Sequence, residues 1–79
     1  MKHYLTLPDL GLNGVTVSLW LVRRGARVAR GDALLEVLAG EATVDLPAPA
    51  SGVLVRKLVA ENEPLEVGQR LAIVDAEWE

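Results

Sequence analysis

Cysteine is absent from this chain, which excludes disulfide bonds, thiolate metal sites and cysteine nucleophiles. Phenylalanine is absent too, and two tryptophans and one tyrosine are the only aromatic residues. The interior must therefore be aliphatic, which suits a small sandwich or barrel whose layers lie close together. No apolar run approaches the length of a membrane span. The N-terminus carries a lysine and no apolar core segment, so no secretory signal is expected and cytoplasmic residence is the expectation. Glycine-rich phosphate loops, metal-ligand clusters and suitably set pairs of carboxylates are also missing. The single histidine, His3, reads as an exposed edge-strand residue rather than a catalytic base. These absences point away from an enzyme.

What remains is 79 residues rich in Val, Leu and Ala, expected to form one domain over residues 1–79. A chain this short buries only about 60–65% of its unfolded surface, so its interior must be strongly apolar. The formal net charge is −3. Arg23, Arg24, Arg27 and Arg30 form the one basic cluster, read either as a solvated loop face or as a docking patch for an acidic partner. The overall charge argues against nucleic-acid binding.

Turn signals recur along the sequence without a convincing helical segment between them, which predicts an all-β fold. Strands are expected over 3–7, 15–22, 33–38, 42–46, 53–59 and 71–74, with Val28-Ala29 a short apolar pair between turns. Leu10 to Gly14 reads as a loop, and Ala39 to Glu41 as a tight turn. Alternation in the second strand predicts Val15, Val17, Leu19 and Leu21 on one face, opposite Thr16, Ser18 and Trp20. Pro47 and Pro49 lack backbone donors and stop an interior strand.

An internal repeat underlies this pattern. A shift of 37 positions, the separation of Gly31 and Gly68, also superposes Leu21-Val22 on Leu58-Val59 and Gly25 on Asn62. The same shift places Leu34 on Leu71 and Val37 on Val74. Glycine and asparagine are the residues that most readily adopt a left-handed conformation, so both halves are expected to make the same turn at 25 and 62. Two β-rich halves, neither able to close a core alone, imply a pseudo-twofold sandwich.

In order and spacing, several segments resemble the lipoyl domain of 2-oxo acid dehydrogenase acyltransferases, a member of the biotinyl/lipoyl-attachment family. Leu7-Pro8-Asp9-Leu10-Gly11 is similar to the family's Met-Pro-x-Leu-Gly. Leu19-Trp20-Leu21-Val22, Gly25, Val28 and Gly31-Asp32 resemble its Trp-Leu-Val-x-x-Gly-Asp-x-Val-x-x-Gly-Asp. Pro47-Ala48-Pro49-Ala50-Ser51-Gly52-Val53 resembles Ala-Pro-x-x-Gly-Val, and Val67 to Ile73 resembles Val-Gly-x-x-Leu-Ala-x-Ile. The resemblance implies a flattened barrel-sandwich hybrid of two four-stranded sheets with pseudo-twofold symmetry.

In that family the hairpin turn reads Asp-Lys-Ala, and lipoate is attached to the lysine. Here the aligned triplet is Gly40-Glu41-Ala42, and Leu38, Ala39 and Gly40 stand where the family has an acid, a threonine and an aspartate. The comparison implies a lipoyl-like domain without its lysine, carrying no cofactor and binding a protein partner. That partner would be a component of a 2-oxo acid dehydrogenase or other multienzyme complex, with neither nucleic acid nor membrane involved. Leu38, Ala39, Glu41, Leu12 and Asn13 are the candidate contacts, and Glu41 reads as either solvated or recognised. The alternative is a lipoyl carrier module of a dihydrolipoamide acyltransferase whose lysine has been substituted, and a third is a cofactor-free binding domain of the wider barrel-sandwich group. Of the two lysines, Lys2 precedes the first strand and Lys57 reads as a solvent-facing strand residue. Trp20 is expected to pack on the sheet or core, and Trp78 to cap the barrel or remain an exposed contact.

Overall fold

The structure, a computed structural model, describes residues 1–76; the expectation for Trp78 lies outside them. Seven strands follow in order: β1 (Lys2–Thr6), β2 (Thr16–Trp20), β3 (Arg27–Val28), β4 (Ala33–Ala39), β5 (Ala42–Pro47), β6 (Gly52–Lys57) and β7 (Arg70–Ala76). They form two antiparallel sheets, ordered β1-β7-β6-β3 and β2-β4-β5, so the all-β barrel-sandwich expected from the sequence is what the chain adopts. The second sheet has three full strands rather than four. Its fourth position is reduced to a single bridge between Thr16 and Pro64. Proline lacks the donor that would extend the pairing.

The internal repeat is visible in the hydrogen bonds. Gly25 N donates to Leu54 O, and Asn62 N, its equivalent, donates to Val17 O. Leu21 N to Leu34 O is matched by Leu58 N to Leu71 O, and Leu54 N to Ala26 O by Val17 N to Glu63 O. Gly25 and Asn62 have φ of 91° and 70°, the left-handed turn expected in both halves. Even the bulges agree, falling between Val17 and Leu19 on β2 and between Leu54 and Arg56 on β6.

That bulge corrects the expected faces of β2. Val15 and Val17 point inward, but the extra residue rotates the strand, leaving Leu19 45% and Leu21 41% exposed. Trp20 turns against the core instead, and its indole N–H donates to Val59 O at 3.0 Å. His3 corrects in the other direction. Paired with Val74, it is half-buried, and its enclosed Nε2 has no hydrogen-bond partner among the described residues.

Among the described residues the buried side chains are all Leu, Val or Ala, and none is polar. Leu34, Leu35, Leu54 and Leu71 are fully enclosed between the sheets. A molecule measuring 36 × 20 × 17 Å leaves about 10 Å between its layers, which explains an interior free of phenylalanine.

Candidate functional site

β4 and β5 pair through Ala39 and Ala42, so the turn between them contains only Gly40 and Glu41. Gly40 has φ of 65° and Glu41 does not have positive φ, the pattern of a type II′ hairpin with glycine at its first central position. Gly40, Glu41 and Ala42 are exposed, and Leu38 projects from the outer sheet face between Thr16 and Thr43. The hairpin stands at one end of the long axis. Met1 and Ala76, joined by a 2.7 Å hydrogen bond, stand at the other, because the pseudo-twofold reverses β7 relative to β4.

The β1–β2 loop is the main departure from symmetry. Leu7 and Ala48 are equivalent, since Leu7 N donates to Gln69 O as Ala48 N does to Asp32 O. Yet residues 8–14 link Leu7 to Val15, whereas only residues 49–51 link Ala48 to Gly52. The longer loop is held by Asp9 Oδ1, which accepts the Gly11 N–H at 2.9 Å. It folds back on the hairpin: a methyl group on Gly40 would lie 3.8 Å from Leu12 Cδ1.

Leu12, Leu38 and Glu41 thus share one end of the molecule, with Asn13 exposed beside them. Ala39 does not belong to that surface. It is 1% exposed, because alternation along β4 that sends Leu38 outward sends its neighbour into the core.

Sequence reasoning missed a cleft of about 360 Å³ at this end, floored by Leu7, Val15 and Leu65. Leu12 and Val67 form its walls, and Asn13 and Glu66 its rim. The matched glycines Gly31 and Gly68 locate the 66–67 turn in the sequence. Nothing there shows that it faces the β1–β2 loop.

Neither lysine is at the hairpin. Lys2 Nζ lies 3.5 Å from Asp75 Oδ2, at the far end. Lys57 Nζ sits 5.1 Å from the centroid of the Trp20 ring, so it is engaged on the sheet face rather than simply solvated. The Asp75 carboxyl is held below its ordinary value, chiefly by a 3.1 Å hydrogen bond from the N-terminal ammonium and then by the Lys2 charge. Among the described residues there is no group of His, Asp and Glu able to hold a metal, and no helix long and apolar enough to cross a membrane.

Comparison with known proteins places this geometry. The family described as biotin-requiring enzyme, the biotin–lipoyl family, matches residues 3–74. The dihydrolipoyllysine-residue acetyltransferase component of the acetoin cleaving system of Pseudomonas putida is 38% identical over 74 residues, covering 91% of this chain and 20% of its own. The lipoamide acyltransferase component of the branched-chain alpha-keto acid dehydrogenase complex of Bacillus subtilis is 28% identical over 75 residues, covering 92% of this chain and 18% of its own. The chain therefore spans about a fifth of the length of these relatives. The solution structure of the lipoyl domain of the Azotobacter vinelandii 2-oxoglutarate dehydrogenase complex has a TM-score of 0.73 and 18% identity, with 92% of this chain and 96% of that one covered. By its sequence match and its two-sheet frame, the chain belongs to the biotin–lipoyl family of small, non-catalytic carrier-type domains.

Proposed function

We propose that this is a lipoyl-like domain that works as a protein-docking module without a lipoyl group, with Glu41 in the place of the attachment lysine. One observation carries the reading: Glu41 is the second residue of a two-residue hairpin tip, and both lysines lie elsewhere. Lipoate is held as an amide on a lysine ε-amine, and a carboxylate cannot form that bond. The residues at the tip do not suit the cofactor, and no carrier step is derived through it. They do suit a contact. Leu38 and Leu12 present exposed apolar surface near the hairpin turn, over the two-sheet frame of the family.

The partner in this reading is a protein of a 2-oxo acid dehydrogenase-type or other multienzyme assembly, by analogy with the acyltransferase relatives, and the setting proposed is cytoplasmic. Co-expression with lipoate–protein ligase and lipoate is expected to leave the intact mass of the wild-type chain unchanged. A lipoyl adduct on it would restore the carrier reading. In an affinity capture with purified dehydrogenase subunits, Glu41→Ala is expected to lose a partner that wild type retains. Equal capture by both proteins would remove the tip from the docking role.

A further inference from the structure

We infer that the cleft between the β1–β2 loop and the Glu66–Val67 turn receives an aliphatic side chain from a basic segment of the partner protein. This rests on the docking reading and deepens it, by naming a second contact beside the hairpin tip and the chemistry that fills it.

Three observations converge. First, the cleft has the buried aliphatic side chains Leu7, Val15 and Leu65 at its base and the exposed polar residues Asn13 and Glu66 beside them, and its volume of about 360 Å³ is at the low end for a ligand pocket, enough for one side chain and its backbone. Second, its walls are side chains that folding leaves uncovered: Val67 is 61% and Leu12 52% exposed. Leu12 Cδ1 also lies 3.8 Å from where a Cβ on Gly40 would stand, so a segment seated in the cleft is in reach of the tip.

Third, this end of the molecule has one sign of charge. The segments 6–17, 37–43 and 60–70, which build it, contain Asp9, Glu41, Glu61, Glu63 and Glu66 against a single basic residue, Arg70. Arg70 is already stacked on Tyr4, its Cζ 4.1 Å from the ring centroid. Among the described residues none of the five carboxylates has an ion-pair partner. The sign is local: the equivalent turn in the other half carries Arg23, Arg24 and Arg27 where this one has Ala60, Glu61 and Pro64. A recess edged by the Glu66 carboxylate, at an end of the molecule whose five carboxylates have no ion-pair partner among the described residues, attracts cations and disfavours acidic segments. The occupant it selects has an aliphatic side chain for the recess and lysine or arginine on either side.

The test is a titration of the ¹⁵N-labelled chain with a blocked Lys-Arg-Leu-Lys-Arg peptide, followed by amide shifts. Two further peptides replace the leucine by serine or all four basic residues by glutamate. Expected are saturable shifts at Leu12, Asn13, Glu66 and Val67, lost with the serine and glutamate peptides and weakened by salt. Val67→Ser should bind the first peptide at least about threefold more weakly, the loss of a partly buried apolar contact, with its spectrum otherwise unchanged. Equal shifts from the leucine and serine peptides would overturn the inference. So would shifts confined to Leu38 and Glu41, although that result would leave docking through the tip standing. A chain that proves dimeric by sedimentation, with the cleft protected in the dimer, would assign the recess to a second copy and overturn it too. Cleft binding that survives while the Glu41→Ala capture shows no loss would leave this inference in place and remove the tip reading instead.

Discussion

Trp20 and Lys57 occupy equivalent positions in the two halves of the chain and touch, the Lys57 ammonium lying 5.1 Å from the centre of the indole ring. Equivalent residues can meet only at the symmetry axis, so this pair marks where the halves join. The tryptophan is fixed by its hydrogen bond to Val59 O and by packing on the core, and the lysine ammonium lies over its ring. The lysine left in the second half is thereby committed to the frame.

A double-mutant cycle measures that commitment. Trp20→Leu and Lys57→Met, alone and together, are expected to show a coupling of about 0.5 kcal/mol in urea denaturation, the scale of a partly exposed cation–π contact. Strict additivity would show that the two side chains are neighbours without an energetic link.

Gly52 is a point of close backbone approach within the second half. It begins β6 and pairs with Ala76, and a Cβ there would overlap the Asp75 carbonyl oxygen and lie 2.8 Å from Ala76 Cα. Backbone cannot retreat as a side-chain end can, so β6 and β7 would have to separate. Gly52→Ala is expected to destabilise the fold by about 3 kcal/mol, the upper range for overpacking. Calorimetry would check it, and a melting temperature near that of wild type would contradict the close approach.

The repeat was legible in the sequence because both halves meet the same steric demands: Gly25 and Asn62 for left-handed backbone, Leu34 and Leu71 for the enclosed core. Faces were less legible. Alternation predicted Leu19 and Leu21 inward, but one bulge residue reverses a strand's faces and leaves no compositional trace. His3 misled for a related reason: its equivalent by the β1–β5 match is Val44, which packs on the core, and a polar side chain conceals an inward position. At the candidate site the hairpin was legible from its spacing. The opposite directions of Leu38 and Ala39 required the β4 register, and the cleft required two loops distant in sequence to be placed side by side.

Asp75 supplies a pH-dependent contact. The N-terminal ammonium and Lys2 hold its carboxyl below the ordinary range, so it binds its proton less readily folded than unfolded. Its contribution is therefore present above the unfolded-state value and is lost as pH falls through the lowered folded-state value. Wild type should melt slightly above Asp75→Asn at neutral pH, and the difference should vanish in acid. Because the pair is exposed, added salt should shrink the gap as well. A gap that persists in strong acid would mean the substitution acts through something other than charge.

At the hairpin tip, backbone conformation and side-chain space make separate demands on Gly40. Its φ of 65° places it in the left-handed region, which costs a residue with a Cβ about 1–2 kcal/mol. Space is not limiting, since the added methyl group would meet Leu12 Cδ1 at an ordinary contact distance of 3.8 Å. Gly40→Ala should therefore destabilise the chain by about 1 kcal/mol through the turn alone. Gly40→Asn should cost less, because asparagine tolerates this conformation. If crowding against Leu12 were the cause, the order would reverse, asparagine being larger, and Leu12→Ala would rescue the alanine variant. Urea denaturation of Gly40→Ala, Gly40→Asn and the Leu12→Ala/Gly40→Ala pair separates the two causes. The backbone account requires asparagine above alanine and no rescue.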